Sequence, residues 1–287
     1  MRDLRNSGNR PGIIYIMGAS RSGSTILGVL LDQAEGTFFA GELCDWPERK
    51  GETTVPQSIG VWSRIRSRVG PIPDEAMGYK KLYEHPGGLI RARSGKPSRR
   101  RYEELTKSVV LAIRDETGCD SVVDSSHYPL RARTLRRLFG NESVRLIFIV
   151  RRPSSVARSF RSTGDKGWFR LNAYLSAVAV LSWMVYLTHP REHRVRIGFE
   201  ELTNSPFRVG AEVLGREMLD VDINNLVPSQ AFTGNRLLRS DEPIRLRPTS
   251  DATVDSIPDR VTDIVQWPYR IPSFPSGRTK PSIRLRR

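Results

Sequence analysis

Short blocks of uninterrupted apolar residues alternate along this chain with longer stretches of helical spacing. Ile13, Ile14, Tyr15 and Ile16 form the first block, β-branched and aromatic with no charged residue among them. Such a block fits a strand covered on both faces rather than one wetted on one side. A small-residue turn follows, Gly18-Ala19-Ser20-Arg21-Ser22-Gly23-Ser24-Thr25. Ile26, Leu27, Val29, Leu30 and Leu31 then begin a helix with one strongly apolar face. Further strands are predicted over 36–43 (GTFFAGEL), 121–124 (SVVD), 144–150 (VRLIFIV) and 193–201 (HRVRIGFEE). Helical spacing recurs over 102–116, 130–139 and 172–187, and again from 206 to about 219. Strands alternating with helices predict an α/β domain with a mainly parallel sheet and helices on both faces.

Three stretches break the pattern. Residues 1–11 read as a flexible lead. The segment 46–101 is rich in Pro and Gly (Pro47, Pro56, Pro71, Pro73, Pro86, Gly87, Gly88), with a short helix only over 61–69. It reads as an irregular insertion over the site, a lid or acceptor loop. Its Trp46, Trp62, Tyr79 and Tyr83 fit core filling or stacking on an acceptor. From about 241 onward prolines, serines and arginines dominate, which predicts a basic, loosely ordered tail over 241–287, after a domain spanning 12–240. The apolar run 173–187 is shorter than the roughly 20 residues of a membrane span and reads as a buried helix. The start, MRDLRNSGNRPG, lacks the apolar core of a signal peptide, so a cytoplasmic location is expected.

Charge narrows the partners. The chain has 287 residues and a formal net charge of +15, which suits a nucleotide, an anionic glycan, a lipid headgroup or nucleic acid. No basic motif interleaved with aromatics speaks for nucleic acid. Cys44 and Cys119 make neither a disulfide framework nor a zinc site, as in a reducing compartment.

The candidate chemistry gathers at predicted strand ends. Strand, small-residue loop and helix N-terminus make an anion trap, through converging N–H groups and the helix dipole. Gly18, Gly23 and Thr25 have the spacing of the nucleotide-triphosphate loop G-x-x-x-x-G-K-[ST], but Ser24 stands where its lysine should be. The positive charge sits instead at Arg21. Asp124, ending a hydrophobic strand, imitates the magnesium-binding segment of P-loop NTPases. Glu42 follows the second strand, where a carboxylate can serve as general base or merely cap a loop. Adjacent strand ends would bring it and the loop to one cleft. His127 fits a base, a hydrogen-bond donor or a structural histidine. Arg151 ends a strand, Pro153 suits a first helical turn, and Ser159 lies eight residues beyond Arg151. Arginine's planar fork matches a phosphate dianion.

Arg21-Ser22-Gly23-Ser24-Thr25 after a strand, together with Arg151 and Ser159, resembles the sulfotransferases that use 3′-phosphoadenosine 5′-phosphosulfate (PAPS), bacterial and carbohydrate types among them. The resemblance runs from Gly12 to about Leu238. It implies the P-loop NTPase-like sulfotransferase fold and transfer of a sulfuryl group from PAPS to a hydroxyl, with no metal. The acceptor would be a carbohydrate, a lipid or a natural product, and could itself be anionic. Ser20, Arg21, Ser22, Gly23, Ser24 and Thr25 would hold the 5′-phosphosulfate, and Arg151 and Ser159 the 3′-phosphate. Phe199 would lie near the adenine, with Gly234, Asn235 and Arg236 folding over the nucleotide. Glu42 becomes the candidate base, with His127 the alternative and Arg21 the third catalytic candidate. The chain departs from the pattern at His127 (usually lysine), Arg152 (commonly aspartate) and Phe199 (often tyrosine). Two other classes remain: a P-loop kinase or NTPase with a degenerate loop, and a non-catalytic binder of an anionic nucleotide or nucleic acid.

Overall fold

Among the described residues, five parallel strands form the sheet: β1 (Ile13–Gly18), β2 (Thr37–Gly41), β3 (Ser121–His127), β4 (Val144–Val150) and β5 (Arg194–Gly198), in the order β2-β3-β1-β4-β5. The computed structural model describes residues 11–85, 98–161, 167–218, 221–227, 230–234, 236–239, 242–246 and 257–266. The α-helices of these residues are α1 (Ser24–Asp32), α2 (Ile59–Val69), α3 (Arg99–Thr117), α4 (Pro129–Phe139), α5 (Pro153–Arg161), α6 (Trp168–Leu187), α7 (Phe199–Asn204), α8 (Pro206–Leu214) and α9 (Ile257–Val265), with short 3₁₀ and π-helical turns between them.

Alternate side chains of each strand go to opposite faces, and both faces are covered. Ile13, Tyr15, Met17, Leu146 and Phe148 join one core with Val109 of α3, Leu135 of α4 and Val178 of α6. Ile14, Ile16, Ile147 and Ile149 join the other with Leu27 and Leu30 of α1, Leu202 of α7 and Val209 of α8. This is why β1 and β4 read as nearly continuous apolar runs, broken in β4 only by Arg145.

The strand order corrects one expectation. β2 is not beside β1; it pairs with β3, which lies between them. β3 also runs on to His127 instead of ending at Asp124. Its polar end is buried because its groups bond one another. Oδ1 of Asp124 accepts the Ser126 N–H at 2.9 Å, and Ser126 Oγ accepts the Cys44 N–H at 3.0 Å. At β5 the strand stops at Gly198, and Phe199 opens α7.

Helix α6 is longer than predicted. Its 20 residues make it long and apolar enough to cross a membrane by length and composition alone. In this protein Leu171, Leu175, Val178, Ala179 and Val185 are buried, while Phe169, Val180, Met184 and Leu187 are exposed.

Between β2 and α3 the described residues are tied down at several points. Trp46, Trp62 and Phe232 form an aromatic cluster, with ring centroids 4.9–5.7 Å apart. Tyr79 stacks on Tyr102 at 4.3 Å, and only Tyr83 of the four aromatics is exposed. Core filling is therefore the role of the other three. A π-helical turn, Lys80–Glu84, is fastened at both ends. Lys80 pairs with Asp45, and Glu84 accepts from the Tyr102 hydroxyl at 2.8 Å beside the buried Arg131. Within the stretch predicted to be loosely ordered, α9 is a docked helix whose Asp259, Thr262 and Asp263 are buried.

Candidate active site

The carboxyl ends of the strands open onto a cleft of about 780 Å³. Ser20, Arg21, Gly23, Ser24 and Thr25 line it from the β1–α1 loop, Glu42 from the end of β2, His127 from β3 and Arg151 from β4. Ser159 reaches it from α5 and Phe199 from α7, and Gly234 closes one side. Ser22 does not line the cleft; it is fully buried beneath the loop, its hydroxyl without a hydrogen-bond partner. Arg236 begins a short 3₁₀ turn ending at Arg239, and Asn235 lies outside the described residues. Ile26, Phe160, Leu237 and Arg239 also line the cleft. Sequence reasoning missed them, because no local pattern around these residues points to the cleft.

The loop is shaped for an anion. Helix α1 has Gly23 at its N-cap with φ 98°, no side-chain cap and no acidic residue in its first turn. Its leading N–H groups and dipole are thus open to a negative ligand. A Cβ at Gly23 would overlap the Phe199 ring, so only glycine lets the loop pack against α7. Arg151 is held between these elements. Its Nη1 donates to the Arg21 carbonyl at 3.2 Å, its guanidinium lies 4.3 Å from the Phe199 ring centroid, and its buried Nε has no partner. Arg21 and His127 adopt left-handed backbone, φ 70° and 54°, which is uncommon for residues other than glycine and concentrates at functional sites.

Glu42 is fixed through its backbone. Residues 232–233 lie alongside β2: Phe232 N donates to Ala40 O at 2.9 Å, and Glu42 N donates to Thr233 O at 3.1 Å. Gly41 has φ 77°, and a Cβ there would overlap the Thr233 carbonyl. This pairing brings Gly234 to the cleft beside Glu42. Because β3 intervenes between β1 and β2, His127 stands between the loop and Glu42, its Nε2 3.1 Å from Ser20 Oγ.

Removal from water, reinforced by Asp45, pushes the Glu42 carboxyl up to about 7, against weaker pulls from Lys80 and Arg21. Burial holds His127 down at about 4, so its imidazole is neutral at physiological pH. A half-buried carboxyl that titrates near neutrality suits a general base. The Asp45–Lys80 pair beside it escaped sequence reasoning because it joins residues far apart in the chain.

Asp124 is committed elsewhere. Oδ1 accepts from the N–H and hydroxyl of Ser126, and Oδ2 from Arg131 Nε at 2.9 Å. Its carboxylate serves a buried structural network.

The sequence model of the sulfotransferase family matches residues 11–216. No curated protein matches the chain. Among solved structures, the sulfotransferase domain from the curacin biosynthetic pathway is 16% identical, with a TM-score of 0.49, over 88% of this chain and 96% of its own. The sulfotransferase domain of the olefin synthase of Synechococcus PCC 7002 is 15% identical, TM-score 0.49, over 92% and 98%. A sulfotransferase from Alicyclobacillus acidocaldarius is 17% identical, TM-score 0.43, over 74% and 83%. Likenesses this distant assign no residue a role.

Proposed function

The chain belongs to the sulfotransferase family, and from that premise we propose that it moves the sulfuryl group of PAPS to a hydroxyl of a carbohydrate, lipid or natural-product acceptor. One observation carries the reading: a single cleft joins an uncapped loop-and-helix anion trap to a second basic point, Arg151 with Ser159. The residues fit the nucleotide. The open N-terminus of α1 and the unpartnered Nε of Arg151 are donors in need of an anion.

In this proposal Ser20, Arg21, Gly23, Ser24 and Thr25 hold the 5′-phosphosulfate, with Ser22 supporting the loop from below. Arg151 and Ser159 hold the 3′-phosphate. Phe199 lies against the adenine, and Gly234 closes over it. PAPS, when bound, supplies the sulfuryl group and a good leaving group. Glu42 takes the proton of the acceptor hydroxyl, which makes that oxygen nucleophilic. Arg21, the loop N–H groups and the α1 dipole stabilise negative charge gathering on the departing phosphate. His127, neutral and bonded to Ser20, hydrogen-bonds the reacting group without adding charge. A sulfuryl group carries less charge than a γ-phosphoryl group, so this set needs no divalent ion. A kinase would instead call on a lysine at position 24 and a free carboxylate at Asp124. Ser24 and the Arg131–Asp124 pair both count against that reading. Cys44 and Cys119 are buried and unpaired, consistent with action in the cytoplasm.

Arg151→Ala tests the assignment. It is expected to weaken adenosine 3′,5′-bisphosphate by about 1.5–3 kcal/mol, as for a charged hydrogen bond. Adenosine 5′-monophosphate should be little affected. Calorimetry showing equal losses for both nucleotides would remove Arg151 from the 3′-phosphate.

A further inference from the structure

Helix α5 lacks a cap of its own. Pro153 is its first residue, and the carbonyl of Arg152 accepts its opening bonds, from Ser155 N at 3.0 Å and Val156 N at 3.1 Å. Arg152 therefore stands at the N-cap. That position calls for a side-chain oxygen to accept the second or third helical N–H. A guanidinium has donors only.

The missing acceptor comes from α9. Oδ1 of Asp263 accepts the Ser154 N–H at 2.9 Å, the bond an N-cap side chain would make. Oδ2 accepts from Ser154 Oγ at 3.1 Å and from Arg152 Nε at 2.8 Å. Asp263 is only 3% exposed, and the Arg152 guanidinium balances its charge. One turn earlier, Asp259 pairs with Arg158 at 3.4 Å and with Arg161. Thr262 accepts from Trp168 Nε1 at 3.1 Å, and Gln266 donates to the Asn172 carbonyl at 3.0 Å. Helix α9 thus grips both ends of α5 and the start of α6.

What it grips belongs to the cleft. Ser159 lies between the two arginines that Asp259 holds, and Arg151 immediately precedes the capped residue. We propose that α9 is a working part of the nucleotide site: Asp263 supplies the N-cap that α5 lacks, and so positions Arg151 and Ser159 for the 3′-phosphate. This rests on the assignment of those two residues to that phosphate. Helix α9 lies beyond residue 216, outside the stretch matched by the family. Asp263 is a positioning residue and touches no reacting group.

A cap can be moved, which makes the test specific. Calorimetry on the full chain would compare wild type, Asp263→Ala, Asp263→Asn and the double variant Arg152→Asp/Asp263→Ala. The ligands are adenosine 3′,5′-bisphosphate and adenosine 5′-monophosphate, with hydrogen exchange of residues 153–161 measured alongside. Asp263→Ala is expected to lose about tenfold for the bisphosphate, the scale of a lost cap, and much less for the monophosphate, with faster exchange in α5. Arg152→Asp returns a carboxylate to the N-cap and is expected to restore both affinity and protection. Asp263→Asn keeps one accepting oxygen for the Ser154 N–H but loses the acceptor for Arg152 Nε, so it should fall between wild type and the Ala variant. Equal losses for both ligands, failure of the rescue, or an Asn variant as weak as the Ala variant would each overturn the proposal. A wild type indifferent to the 3′-phosphate would sink the phosphate assignment and the positioning role with it. Exchange in α5 would still decide separately whether Asp263 is the cap.

Discussion

Glu42→Gln is expected to lower turnover by roughly 10²–10⁴-fold, the usual span for removing a general base, with adenosine 3′,5′-bisphosphate affinity nearly unchanged. Glutamine keeps the shape and the backbone bonds to Thr233 while removing the proton acceptor. The pH profile carries the sign. Burial favours the neutral carboxyl, so the active carboxylate accumulates as pH rises through about 7. The ratio kcat/KM should climb across that range and level off above it. A base at His127 would give its rise near 4 instead, where its imidazole loses the proton. If Glu42→Gln keeps near-normal turnover and His127→Ala loses it, the two roles are exchanged. If both remain active, the base lies outside this pair.

Arg131→Ala should cost about 3–5 kcal/mol of folding stability, as when one partner of a buried ion pair is removed. Arg131 is 1% exposed. It donates to Asp124 Oδ2 at 2.9 Å and to the Tyr102 hydroxyl at 2.6 Å, and lies 3.7 Å from Glu84. Truncation strands two carboxylates away from water. Because Glu84 ends the π-helical turn that begins at Lys80, the loss should also loosen the segment beside Glu42. Urea unfolding would measure it, and a change under about 1 kcal/mol would mean that the network bears little of the fold's stability.

The parts legible in the sequence are those encoded locally. β1 and β4 announced themselves because both faces are covered and almost every position is apolar. The loop was legible because Gly18 and Gly23 occur at a spacing that few other structures require. Arg151 and Ser159 were legible as a strand-end arginine followed by a helical position. The parts that were not legible depend on partners distant in the chain. Nothing in residues 36–43 says that β2 pairs with β3 and lies at the sheet edge. Ser125, Ser126 and His127 look like a turn, yet they continue a buried strand because Asp124 and Cys44 meet their polar groups. Helix α9 was hidden within a Pro- and Arg-rich tail, since its buried aspartates make sense only opposite Arg152 and the arginines of α5. Lys80 gave no sign that it would reach Asp45 beside Glu42.

Wild-type calorimetry against adenosine 3′,5′-bisphosphate and against ATP, each with magnesium and with EDTA, bears most directly on the claim that this cleft takes PAPS. The bisphosphate should bind more tightly than ATP, and with equal affinity in both buffers. ATP binding at least as tight as the bisphosphate, and dependent on magnesium, would contradict it.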